Sequence, residues 1–167
     1  MGDAAAHRMS FWKHFKPKAC SVSLAGATKD EVLREVVEAL VKGGALDPKL
    51  ADAAHLALLE RERVASTGVG TGVAIPHVKL AGLTQAVASL CVHSAGVEWA
   101  AVDGDAVHVL FTVLRPEKQT DQHDPERHLE MIRWIARLAR SADFRAFALQ
   151  ARTRTALVDL LKEMSEV

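Results

Sequence analysis

The sequence predicts a layered α/β domain, and three observations carry that prediction. The run from Ala106 to Leu114, AVHVLFTVL, is nearly all apolar, as a strand buried on both faces must be. Val32, Leu33, Val36, Val37, Leu40 and Val41 recur at helical spacing, as do Leu129, Ile132, Ile135, Ala136 and Ala139. Helix patterns therefore stand before, between and after the strand runs, where they can cover a sheet. At 167 residues the chain suits one domain and can bury a real core.

Met1 to Lys18 reads as an N-terminal tail, with the domain proper taken as residues 19–167. The tail carries Arg8, Lys13, Lys16 and Lys18 beside Phe11, Trp12 and Phe15. That mixture could touch a membrane surface or RNA, and a frayed or merely packed terminus is the simpler reading. Cys20 to Leu24 alternates weakly and is expected as a first strand. Thr28 and Glu31 form a capping box that opens a helix, and Gly43-Gly44 ends it. Asp47 and Pro48 supply an N-cap and an N1 proline for a second helix through about Arg61.

Three strand runs follow: Gly72 to Ile75, Ala86 to His93, and Ala106 to Leu114. Asp103-Gly104-Asp105 makes the turn before the last of them. Arg115 to Asp124 is a polar loop. Asp124-Pro125 repeats the cap-then-proline device and opens a long helix. Shorter helices are expected near Ala142 to Gln150 and Thr155 to Met164. There is no internal repeat and no low-complexity segment.

Composition narrows the function classes. Hydrophobic residues are 49% and charged residues 25%, an ordinary soluble balance. The 21 basic side chains match the 21 acidic ones, so net charge argues for neither nucleic acid nor a membrane surface. No apolar run approaches the ~20 residues of a spanning helix, and the N-terminus lacks a signal-peptide pattern. Cys20 and Cys91 sit among apolar neighbours without metal spacing, as expected of core residues in a reducing, cytoplasmic setting.

The chemistry concentrates in STGVGTGVAIPH, Ser66 to His77. It is not a Walker loop, because Gly72 is followed by Val73 rather than a Lys-Ser/Thr pair. It is not a dinucleotide fingerprint either, because Gly68, Gly70 and Gly72 lead into a strand rather than a helix. What remains is a set of backbone donors that could nest an anion. The hydroxyls of Ser66, Thr67 and Thr71 accompany them. Pro76 restricts its own φ and holds Ile75 extended, so His77 is expected at a defined strand end. These features fit a histidine that meets an anion.

Arg61-Glu62 followed by the Ser66–His77 string resembles the active-site signature of the IIA domains of the bacterial phosphoenolpyruvate-dependent sugar phosphotransferase system. The match is to the fructose/mannitol type, which includes the nitrogen-regulatory IIA proteins. Gly96-Val97-Glu98-Trp99, Asp103-Gly104 and Val107 to Leu114 look like that family's central strands. His128-Leu129 looks like its second active-site histidine. The similarity runs from about Ser21 to Lys162. It implies a single mixed β-sheet flanked by helices on both sides. It implies His77 as phosphoryl acceptor, charged by HPr or its nitrogen-branch relative NPr. The group would pass to a IIB domain, or its presence would signal to a transporter or sensor kinase. His128 would donate a hydrogen bond to the phosphoryl group, and Arg61 would supply positive charge. Ser66 and Thr67 would line the site, and Gly68, Gly70 and Gly72 would let the backbone come close. No cofactor and no metal are implied, and a membrane is met only through partners.

Two features depart from the family pattern. Val78 stands where a small residue commonly follows the active histidine, and the loop from Pro116 to Arg127 is longer, carrying Asp121, Asp124 and Glu126. A divergent IIA-like binding module that no longer transfers phosphate is therefore the alternative. A metal site built from His77, His128 and either His108 or His123 is a third reading, although no recognised short ligand spacing occurs. His93 and His108 lie in strand patterns, and His7, His14, His55 and His123 read as surface positions.

Overall fold

The computed structural model describes residues 10–166. Helix α1 (Lys29–Lys42) opens as its capping box demands, with the Thr28 side chain accepting the Glu31 N–H at 3.2 Å. Its apolar stripe, Val32, Leu33, Val36, Val37 and Leu40, is buried. Asp47 caps a 3₁₀ turn, Pro48–Leu50, that leads into helix α2 (Ala51–Val64), which runs past the expected end at Arg61.

Five strands follow: β1 (Gly68–Gly70), β2 (Val73–Ala74), β3 (His77–Leu80), β4 (Val87–Val97) and β5 (Val107–Pro116). β5 is the centre of the sheet. β4 pairs with it antiparallel, with Leu90 opposite Phe111. Along its other edge β2 and β3 follow one another, both parallel to it, with Val73 opposite Val109 and His77 opposite Val113. β1 folds back antiparallel onto β2. The chain then forms α3 (Pro125–Arg140), α4 (Ala142–Gln150) and α5 (Arg154–Glu163). This is a mixed sheet with helices on both faces, as expected.

Strand alternation sorts the core into two clusters. Val73, Ile75, Val109, Phe111 and Val113 face α3, α4 and α5. Ala74, Leu80, Leu110 and Leu114 face α1 and α2. On the first face Phe111 stacks on Phe144 with ring centroids 5.5 Å apart, and Trp134 meets Phe11 at 5.8 Å and Phe15 at 6.3 Å. Each such ring pair contributes roughly 0.5–1.5 kcal/mol beyond area burial.

Several expectations need correction. Phe11 and Phe15, inside the expected tail, are buried against the α3 face, so this stretch packs instead of fraying. The rest of the expected tail, residues 1–9 with His7 and Arg8, lies outside the described residues. Cys20 to Leu24 is not a strand. It runs along β4 with only scattered bonds, Ser21 N–H to Leu90, Val92 N–H to Ser21 and Leu24 N–H to Val92. The expected strand Gly72 to Ile75 is shorter, and β1 and β3 flank it unanticipated. Pro76 has no N–H to offer β5, so the edge breaks there and resumes at His77. His55 and His123, expected at the surface, are buried. His55 Nε2 lies 2.8 Å from Asp30 Oδ1.

Candidate active site

His77 is the first residue of β3, directly after the break at Pro76. Its Nδ1–H donates to the Ile75 carbonyl at 2.7 Å. A neutral imidazole with its proton on Nδ1 presents a bare lone pair on Nε2. The tautomer is thus set by main chain two residues away, held extended by Pro76. The ring is half-buried, which keeps it reachable.

The string before His77 folds as a hairpin whose two ends do different things. At the end nearest His77, the Ile75 N–H donates to the Thr67 carbonyl at 3.0 Å. Thr67 is buried. Its N–H and hydroxyl both donate to the buried carboxylate of Glu62, and it accepts from Trp99 Nε1 at 3.1 Å. Lys29 closes the network with a 2.9 Å salt bridge to Glu62. Ser66 donates to the Trp99 carbonyl at 2.7 Å and accepts from the Gly68 N–H. Both hydroxyls expected to line the site are therefore engaged in brackets that fasten the hairpin to α2 and to Trp99.

At the far end, Gly70, Thr71 and Gly72 all have positive φ, +95°, +58° and +81°. A β-branched Thr71 in that region is strained. It is held by its N–H, which donates to Asp103 Oδ2 at 2.8 Å. This bond and one from Asp105 hold the Asp103 carboxyl below its usual range. The anion met by this turn is thus a side chain of the same protein. Gly70 and Gly72 lie away from His77, because β2 and the Ile75-Pro76 break separate them from it. Gly68 pairs with Ala74 in the hairpin, where a Cβ would press on Ala101.

His128 lies in the first turn of α3, where its N–H donates to the carbonyl of the N-cap, Asp124, at 3.0 Å. The ring is buried. Burial above all, then the positive charge of Arg115, His123, His77 and His14, pushes its pKa down to about 4. His128 is therefore a neutral imidazole at pH 7, and it can donate only from the nitrogen that carries its one proton. His77 is among the groups acting on it.

Arg61 stays half-buried at the end of α2, where Nη1 donates to the Ala65 carbonyl at 2.7 Å. The guanidinium that acts on both His128 and His123 is Arg115. It stands on β5 two residues beyond Val113, on the same sheet face as His77. Among the described residues no carboxylate pairs with it. Its place, at the carboxyl end of the central buried strand, is where open α/β sheets bind ligands, and that rule could have found it. His123 lies in a polar loop, where a histidine gives no periodic signal of its burial. A cleft of about 490 Å³ adjoins these groups, lined in part by His14, His123, Arg127 and His128. Among the described residues no three His, Cys, Asp or Glu side chains converge as a metal would require.

Comparison with known proteins agrees with this architecture. Residues 13–164 match the family described as phosphoenolpyruvate-dependent sugar phosphotransferase system, EIIA 2. The chain is 32% identical over 148 residues to a nitrogen regulatory protein of Pseudomonas aeruginosa, covering 89% of this chain and 92% of that one. It is 31% identical over 140 residues to a fructose-specific EIIA component of Haloferax volcanii, covering 84% and 86%. In fold it is similar to the nitrogen regulatory protein IIA-Ntr of Neisseria meningitidis, with a TM-score of 0.78 at 24% identity over 90% of this chain and 97% of that one. The half-exposed histidine behind its proline, the buried histidine opening α3 and the mixed sheet beneath them meet in a chain that belongs to the EIIA 2 family of the sugar phosphotransferase system.

Proposed function

We propose that this protein is a phosphocarrier that accepts a phosphoryl group on His77 Nε2 and passes it on. The observation that carries the reading is the 2.7 Å bond from His77 Nδ1–H to the Ile75 carbonyl. It leaves Nε2 as the nucleophile and stabilises the positive charge the ring gains as its new N–P bond forms. In the step proposed, the lone pair of Nε2 attacks phosphorus on a phosphohistidine carrier of the HPr or NPr type. The old N–P bond breaks and its electron pair returns to the carrier's ring. His128 donates a hydrogen bond to an equatorial oxygen, and Arg115, the guanidinium that acts on His128, supplies positive charge. Onward transfer is to a IIB domain, in keeping with the solved complex of the similar mannitol IIA with phosphorylated IIB. A transporter or sensor kinase that reads the phosphorylation state is the regulatory counterpart. Among the described residues no helix is long and apolar enough to cross a membrane, and we place the protein in the cytoplasm with its carriers.

Val78 supports this reading over a non-transferring module. Successive strand residues point to opposite faces. Val78 packs into the cluster beneath α1 and α2, away from the face that His77 shares with Arg115. The bulk after the active histidine therefore fills core instead of crowding phosphorus.

The test is incubation with phosphoenolpyruvate, enzyme I and HPr-type or NPr-type carrier, read by intact mass at alkaline pH. Wild type gains one phosphoryl group and His77→Ala gains none. Labelling of the variant, or no labelling of wild type by either carrier, overturns the proposal.

A further inference from the structure

We infer that His123 is a positioning residue that fixes which nitrogen of His128 carries the proton, through a hydrogen bond between the two rings. The inference rests on the reading of His77 as phosphoryl acceptor for its catalytic meaning, and on geometry alone for the pairing itself.

Two buried nitrogens on neighbouring rings lack partners. His123 Nε2 and His128 Nδ1 are both inaccessible to solvent and neither makes a hydrogen bond. The residues themselves are 6% and 9% exposed. Their rings meet edge-on, with centroids 5.6 Å apart and planes at 62°. An orphaned buried donor or acceptor costs about 1–3 kcal/mol, so two adjacent orphans are a strong reason for pairing. Paired with each other, one becomes the donor and the other the acceptor.

The direction of that bond decides what His128 can do. With Nε2–H of His123 as donor, His128 Nδ1 accepts and its proton must sit on Nε2. That atom is not among the buried orphans, and it is free to donate to a phosphoryl oxygen. The reverse direction puts a lone pair on His128 Nε2, which repels the same oxygen. Burial holds His128 neutral, so no second proton rescues the wrong tautomer.

The loop is built to hold His123 in place. Thr120 and His123 exchange backbone bonds, each N–H to the other's carbonyl, at 3.4 and 3.2 Å. Thr120 Oγ1 donates to the Thr84 carbonyl at 2.5 Å. Asp124, the next residue, caps α3 by accepting the Glu126 N–H at 2.9 Å. His123 is thus tied to the start of the helix that carries His128. The loop between β5 and α3 is what delivers it.

The experiment is long-range ¹⁵N–¹H correlation NMR on uniformly labelled full-length protein at pH 7.5, with wild type, His123→Phe and His123→Gln. Melting temperatures run alongside to show that each variant folds. The wild-type His128 ring is expected in the Nε2–H form. His123→Phe is expected to shift it toward Nδ1–H and to slow phosphoryl acceptance from HPr-type carrier by about 5–10-fold, in line with loss of one neutral hydrogen bond. His123→Gln, which keeps an N–H donor, is expected to restore both. A wild-type His128 in the Nδ1–H form overturns the inference, even if neither variant folds. So does a tautomer that His123→Phe leaves unchanged. If the tautomer responds as stated but wild type accepts no phosphoryl group, the pairing stands and the phosphocarrier reading falls.

Discussion

His77 and His128 are both histidines at the start of a secondary-structure element, yet they are held in opposite ways. His77 is half-buried, and its proton is placed by a carbonyl two residues back along its own strand. His128 is buried, its pKa pushed down to about 4, and no main-chain atom takes its inner nitrogen. His77, the proposed nucleophile, is oriented locally by main chain. His128, the proposed donor, is surrounded by groups from the preceding loop and from β5. The contrast suits their jobs: a nucleophile must be reachable by a partner protein, whereas a donor works best where water is excluded and its charge state cannot drift.

The largest effect expected from breaking this contrast comes from His128→Ala. Removing one preorganised donor costs on the order of 100-fold or more in rate. Phosphoryl acceptance should slow by about that factor while His77 still labels fully given time. Rapid-quench measurement of acceptance from carrier reads it directly, and a wild-type rate would mean that His128 does not act on the phosphoryl group.

A smaller effect sharpens the contrast through pH. An ordinary histidine titrates near 6.5, whereas folded His128 does so near 4. Between those values the unfolded chain binds a proton that the folded chain refuses, so stability is full above about 6.5 and falls as pH drops toward 4. His123 and His14, also lowered mainly by burial, act in the same direction. Thermal unfolding at pH 7.5 and pH 5 should show the loss, and His128→Phe should flatten it. An equally steep profile in the variant would assign the pH dependence elsewhere.

The smallest effect concerns the far end of the hairpin. If its three positive-φ residues serve the turn rather than the phosphoryl group, Thr71→Gly relieves strain and stabilises the protein by about 1 kcal/mol. Urea unfolding should show that gain, with phosphoryl acceptance within twofold of wild type. A large loss of acceptance would return the turn to the active site.

How far the chain could be read depended on the range of the interactions. Capping residues Thr28, Asp47 and Asp124 opened helices where their side chains predicted, because a cap is satisfied within three residues. The buried strand β5 followed from its unbroken apolar run. The Ser66–His77 string could be singled out because glycine, proline and histidine carry their conformational and chemical meaning locally. Other features turned on contacts distant in the chain. Ser66 and Thr67, expected to line the site, both bond to Trp99, 33 and 32 positions away, the first donating to its carbonyl and the second accepting from its Nε1. Phe11 and Phe15 looked like a tail because their partners, Phe111 and Trp134, come from β5 and α3.

The order of residues was sufficient to specify a layered α/β domain with a histidine delivered behind a proline. Dihedral limits, capping bonds and strand patterning act between near neighbours, and the chain carries them wherever it goes. Folding in three dimensions was required to choose what surrounds that histidine. It aligned β3 on β5 so that His77 and Arg115 share a face, and it sank His128 beside His123. It also turned Val78 into the opposite core. Burial and electrostatic coupling between distant segments have no counterpart along the chain, because they exist only once water has been removed between the layers.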